Sequence, residues 1–136
     1  MDELYQSQIL ALARFARQSS ISGTPTHITK LKNPLCGDEV HLSAIIQDDI
    51  ITDASVTVSG CALCEAGAGL WLQLASQQPL HHMPAIAQSL TGFLASDGED
   101  IADDRLAPLT AIRPVKNRHK CVTLAAQASI ALTKSS

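Results

Sequence analysis

Aromatic side chains are scarce in this chain: two Phe, one Trp and one Tyr among 136 residues. Base stacking on ring faces therefore has almost nothing to use, which argues against a single-stranded nucleic-acid platform. Positive charge is also short. Ten Lys and Arg stand against thirteen Asp and Glu, a formal charge of −3, whereas phosphate binding needs clustered excess cations. No uninterrupted apolar run is long enough to span a bilayer. The start, Met1-Asp2-Glu3, lacks the basic segment and apolar stretch of a secretory signal. The expectation is a cytoplasmic protein with neither nucleic acid nor membrane as its partner. No internal repeat or low-complexity segment is visible. The hydrophobic share, 46%, supplies a core without a disulfide framework, and the length fits one domain over residues 1–136.

Four cysteines in a reducing compartment read as ligands or reactive thiols rather than as disulfides. Cys36 lies in Asn33-Pro34-Leu35-Cys36-Gly37-Asp38, where a thiol and a carboxylate flank a glycine that lets the backbone turn tightly. Gly60-Cys61 opens an apolar segment, and Arg118-His119-Lys120-Cys121 stands near the C-terminus. Any one of these thiols could be an ordinary buried small hydrophobe. Three thiols and one carboxylate from separate segments instead suggest one site assembled by the fold.

Periodicity gives the frame. Residues 2–17 read as an amphipathic helix, with Asp2 as N-cap and Tyr5, Ile9, Leu12, Ala13 and Ala16 at helical spacing. Residues 19–25 form turns. Val40, Leu42, Ala44 and Ile46 alternate with mostly polar neighbours, as do Ala54, Val56 and Val58, and Asp48-Asp49 makes the turn of an antiparallel hairpin. A third strand lies near residues 27–32. From Cys61 the period becomes helical through Leu63, Ala66, Leu70 and Leu74; Gly67 and Gly69 weaken that helix and point to close packing against a neighbouring backbone. Pro84 fits the first turn of a helix carrying Ile86, Leu90, Phe93 and Leu94. Residues 96–104 form an acidic loop, 104–111 a short helix, and a last helix starts at Asn117 or Arg118. Early strands and late helices predict an α+β domain, a small antiparallel sheet of about three strands packed by helices.

Cys61 follows a strand and opens a helix, where unpaired N–H groups and the positive dipole end favour a thiolate. Cys121 adjoins Arg113, Lys116, Arg118, His119 and Lys120, cations that favour its thiolate or dock an acidic patch. Three thiolates with Asp38 make an S₃O set that accepts zinc and, with one hard and weaker ligand, an iron–sulfur cluster that must load and unload. Cys61-Ala62-Leu63-Cys64 is a C-x-x-C; Cys64 reads as packing or an auxiliary thiol, with a fourth ligand or a resolving thiol as alternatives. His41 alternates with the apolar strand residues, on the side of a site. His81-His82 reads as a solvated helix start, and the acidic stretches lack the spacing of a calcium loop.

These motifs, in this order, resemble the NifU N-terminal/IscU family of iron–sulfur cluster assembly proteins. The resemblance covers nearly the whole chain. The long stretch between Cys61 and Cys121, and Lys120 rather than histidine before the last cysteine with Arg118 two residues earlier, make the chain most similar to the SufU branch. It implies a SufE/NifU-like α+β sandwich. It implies Cys36, Asp38, Cys61 and Cys121 as ligands of a transient [2Fe–2S] or related cluster, or of Zn²⁺, with Arg118 and Lys120 auxiliary; Cys64, read above as packing or an auxiliary thiol, is an addition to the family's ligand set. The implied partners are a PLP-dependent cysteine desulfurase and recipient apo iron–sulfur proteins or a carrier. A scaffold or carrier, rather than an enzyme, is the first expectation. The second is a zinc-dependent sulfurtransferase with Cys36 as persulfide acceptor. A structural zinc module and a Cys61/Cys64 dithiol oxidoreductase follow.

Overall fold

The core-facing residues of the sheet set the architecture. A computed structural model describes residues 3–34, 37–96 and 103–134. Three strands, β1 (His27–Lys32), β2 (Glu39–Gln47) and β3 (Ile50–Ser59), form an antiparallel sheet in the order β1-β2-β3. Val40, Leu42 and Ala44 are buried along β2 while Glu39, His41 and Ser43 are not, so one face is covered. Leu42 pairs with Val56 and Val40 with Val58 across the strands, and Thr29 and Leu31 pair with Leu42 and Val40 on the other side. Asp48 (φ 52°) and Asp49 (φ 67°) both occupy the left-handed region between the paired residues Gln47 and Ile50. That is the two-residue hairpin turn expected of this sequence, and short polar side chains tolerate it best. A register shift between Ile45 and Ile46 bends the hairpin.

Among the described residues there are four α-helices, α1 (Glu3–Arg17), α2 (Ala62–Ala75), α3 (Met83–Ala95) and α4 (His119–Ser129); α1, α2 and α4 pack on the strands, and α3 packs on α4. Helix α1 buries Ile9, Leu12, Ala13 and Ala16 and carries Glu3 in its first turn and Arg14 and Arg17 in its last, matching the dipole. Its predicted N-cap, Asp2, lies outside the described residues. Helix α2 is the central element. Cys64, Ala66, Leu70, Trp71, Leu72 and Ala75 are all buried, so it is apolar almost all round, as a helix wedged between others must be. Its glycines have the role that their helix-weakening cost implied. A Cβ on Gly67 would run into the Val122 carbonyl of α4, and one on Gly69 into the Leu12 carbonyl of α1. Both neighbouring helices approach to backbone contact.

Pro84 stands in the first turn of α3, which buries Met83, Ala87, Leu90 and Leu94. The predicted short helix is a 3₁₀ segment, Asp104–Ile112, capped by the Asp103 side chain accepting from the Arg105 N–H. Residues 97–102 of the predicted acidic loop lie outside the described residues. The architecture is the expected α+β sandwich. Among the described residues no helix is long and apolar enough to cross a membrane.

Candidate metal and cluster site

Three elements deliver donors to one point. The first is the β1–β2 connection. The Asn33 N–H donates to the Asp38 carbonyl at 2.7 Å and the Gly37 N–H to the Asn33 carbonyl at 2.8 Å. Gly37 holds φ 80°, a conformation that glycine adopts freely and L side chains avoid. This closed loop turns Asp38 inward, where it is 8% exposed. Cys36, which the sequence places in the same loop, lies outside the described residues.

The second element is the start of α2. Cys61 is its N-cap, in extended backbone (φ −80°, ψ 168°), and its side chain makes no capping bond. Its thiol donates instead to Asp38 Oδ2 at 3.7 Å. The third is the start of α4, where Cys121 occupies the first turn and is 1% exposed. The donor atoms of Asp38, Cys61 and Cys121 all lie within 4.8 Å of one another. Two helix N-termini thus converge on one buried carboxylate, and the positive dipole ends favour anionic donors there.

The set fits a tetrahedral ion. With Zn–S near 2.3 Å and Zn–O near 2.1 Å, ligand atoms lie about 3.6–3.8 Å apart, and the Cys61–Asp38 separation is 3.7 Å. Drawing Cys121 onto the same ion takes a movement of about 1 Å or less by this geometry. Two sulfurs and one oxygen suit zinc and iron alike.

Gly60 is a site residue that motif reading left without a role. A Cβ there would stand 2.7 Å from Asp38 Cγ and Oδ1. The strand-to-helix corner must lack a side chain for the carboxylate to reach the sulfur. The signal was present as glycine directly before a candidate ligand cysteine. Gly67 acts one level further out, because its contact with Val122 sets how near the residue after Cys121 comes to α2.

The cations distribute differently from their order in the sequence. Arg118, exposed, donates from Nη1 to the Cys61 sulfur at 3.9 Å, across from α4 to the start of α2. Arg113 donates to the Phe93 carbonyl at 2.9 Å and lies 4.1 Å over the Phe93 ring. His119 Nε2 donates to the Ile112 and Arg113 carbonyls at 3.1 and 3.0 Å, which ties down the end of the 3₁₀ segment. Lys116 and Lys120 are exposed. His41 pairs with Glu39 at 2.6 Å on the uncovered side of the sheet, away from the site. Cys64 is fully buried, and the three-donor group does not include it.

Fold and site together define a class: α+β sandwiches that hold thiolate and carboxylate donors between a sheet loop and two helix starts. The NifU-like N-terminal domain family matches residues 5–121, and the chain belongs to that family. An iron–sulfur cluster assembly scaffold protein IscU of Thermotoga maritima is 27% identical over 125 residues, 90% of this chain and 87% of that protein. A zinc-dependent sulfurtransferase SufU of Bacillus subtilis is 24% identical over 127 residues, 91% and 85% of the two chains. The fold matches the N-terminal part of a NifU-like protein of Brucella abortus with a TM-score of 0.82, at 20% identity, over 98% of this chain and 94% of that one. An iron–sulfur scaffold protein of the SUF system of Fervidobacterium islandicum matches with a TM-score of 0.74, at 18% identity, over 95% and 93%.

Proposed function

We propose that this chain is a cytoplasmic scaffold that receives sulfur from a PLP-dependent cysteine desulfurase. It holds a transient iron–sulfur cluster on Cys36, Asp38, Cys61 and Cys121 and passes it to apo iron–sulfur proteins or a carrier. The observation that carries this reading is the convergence of Asp38, Cys61 and Cys121 within 4.8 Å. Three donors leave one position of a tetrahedron open, and Cys36, two residues before Asp38, is the thiol to fill it. Asp38 gives the site its labile ligand, since a hard oxygen holds iron in a sulfur-rich set less firmly than a fourth thiolate does.

A second reading, a zinc-dependent sulfurtransferase, is favoured by the Arg118–Cys61 contact at 3.9 Å, a cation beside a thiol of the site. In it zinc orders the site and Cys36 leaves the ion to accept persulfide sulfur.

Protein purified without oxygen, then incubated with iron, cysteine and a desulfurase, separates the two. Iron with matching acid-labile sulfide and a visible chromophore supports the scaffold. Retained zinc, with persulfide on a cysteine and no cluster, replaces it with the sulfurtransferase. Asp38→Ala should slow cluster transfer to an apo acceptor by about tenfold or more, the range for altering a metal's immediate surroundings. Transfer at the wild-type rate removes the labile-ligand role.

A further inference from the structure

We propose that Cys61 and Cys64 form a dithiol that reduces a sulfane sulfur carried on Cys61 to sulfide, closing a Cys61–Cys64 disulfide. This rests on the sulfur-receiving function proposed above and deepens it. A persulfide carries its outer sulfur two electrons above sulfide, and clusters contain sulfide, so a scaffold fed with persulfide needs two electrons at the site.

The geometry points to this pair. Cys61 is the N-cap of α2 and Cys64 the third residue of the helix. The Cys61 carbonyl accepts the Glu65 N–H at 3.1 Å, so the turn containing both cysteines is closed. Three residues of helix bring Cα atoms to about 5 Å, inside the roughly 4.4–6.8 Å that a disulfide spans. Burial divides the roles. Cys61 is part-buried, within reach of a sulfur donor, with the Arg118 guanidinium 3.9 Å from its sulfur. Cys64 is 0% exposed, so its partners are its neighbours in the core rather than molecules in solution. An accessible attacking thiol followed at i+3 by a shielded one is the arrangement of C-x-x-C dithiols at helix starts. Among the described residues the donor group of the site is Asp38, Cys61 and Cys121, so Cys64 stands beside that group and not within it.

The step balances. The Cys64 thiolate attacks Cys61 Sγ of the persulfide, the Sγ–Sγ bond forms, and the bond to the outer sulfur breaks. Hydrosulfide leaves with the electron pair and takes up the proton lost from Cys64. The dithiol is oxidised to a disulfide and the sulfane sulfur is reduced to sulfide. Two equivalents of a small-molecule thiol then exchange with the disulfide, restoring both cysteines and leaving as their own disulfide. Since the disulfide takes Cys61 out of the ligand set, this chemistry belongs to the metal-free site.

The test uses the metal-free full chain, loaded with inorganic polysulfide and desalted into thiol-free buffer. Released sulfide, intact mass and peptide maps are followed. Wild type should lose the added sulfur as sulfide while a Cys61–Cys64 disulfide appears. Cys64→Ala should keep one extra sulfur on Cys61 and release at least about tenfold less sulfide, because the resolving thiol is gone. Cys64→Ser is a second variant of similar size, and thermal melting checks that both fold. The wild-type map decides even where a variant does not fold. Equal release from both variants and wild type, a stable wild-type persulfide on Cys61, no sulfur at Cys61, or a disulfide to another cysteine overturns the proposal. A parallel arm with desulfurase and cysteine separates the two ideas. No transfer from the desulfurase, with the polysulfide reaction intact, removes the scaffold reading alone. Transfer without the Cys61–Cys64 disulfide removes the dithiol alone.

Discussion

Gly60 has no side chain to offer, yet the site depends on it. An added Cβ at 2.7 Å from the Asp38 carboxylate forces that group to move, because real Cβ atoms do not approach so closely. The carboxylate is the end of a short side chain, so the fold yields there at modest cost while the donor geometry does not. Gly60→Ala should therefore weaken zinc binding about 10–100-fold, the scale for disturbing a ligand's support, while lowering thermal stability little. Chelator competition alongside thermal melting measures both, and unchanged affinity contradicts the role. This contact was not legible in the sequence, where Gly60 and Asp38 belong to different motifs. The thiol that Arg118 contacts was not legible for a similar reason. Three residues from Cys121 along the chain, Arg118 reaches the sulfur of Cys61 on another helix. Spacing named the donor types but not which cation meets which thiol.

At the scale of elements, α2 is held against α1 and α4 through two glycines, and they can be told apart. Gly67 abuts the backbone of Val122, next to the candidate ligand Cys121, whereas Gly69 abuts Leu12 of α1. Replacing either with alanine overfills a backbone contact and should destabilise by about 1–3 kcal/mol or more. Only Gly67→Ala should also lower metal affinity, because only that contact sets the position of α4 at the site. Equal losses of affinity in the two variants, at matched stability, count against this division. The 3₁₀ segment Asp104–Ile112 is anchored otherwise. The Arg105 guanidinium grips Asp103, with Nη2 2.7 Å from Oδ2, and also donates to the Gln73 carbonyl of α2. Its hydrogen bond, outweighing the opposing desolvation, holds the Asp103 carboxyl below the usual carboxylate range. A carboxyl depressed in the folded state adds stability at neutral pH and loses it as pH falls through that lowered value. Asp103→Asn should lower stability slightly at pH 7, by well under ~1 kcal/mol for so exposed a pair, read as a small drop in melting temperature. The difference should vanish in acid below the carboxylate range; a difference that persists there would assign the effect to something other than this ion pair.

The whole molecule divides into a core that forms on apolar burial and a site placed at one end of it. The core was largely legible. Alternation in β2 and β3, the Asp48-Asp49 turn and the helical face of α1 each followed from local pattern, and even the glycines of α2 announced close packing. Strand β1 was the faintest element because it lies at the sheet edge with Ile28, Lys30 and Lys32 exposed, so burial leaves little alternation there. The site was legible as a donor set but not as a geometry, since closing Asp38, Cys61 and Cys121 to 4.8 Å depends on two helix starts meeting through contacts distant in sequence. That division makes a statement about metal and stability. Trp71, Leu42, Leu70, Leu90 and Ile112 are fully buried without any contribution from a metal, and each such side chain supplies about 1.5–3 kcal/mol. Chelation should therefore leave the chain folded at room temperature. Saturating zinc should raise its stability by RT ln(1 + [Zn]/Kd), about 2.7 kcal/mol at a hundredfold excess over Kd, a shift of several degrees for a domain of this size. The β1–β2 loop and the starts of α2 and α4 should gain the most amide-exchange protection, because the ion ties those three segments together. Unfolding on chelation, as in small zinc modules whose fold depends on the ion, would make the site a structural one and remove the basis for reading it as a place where cargo is loaded and released.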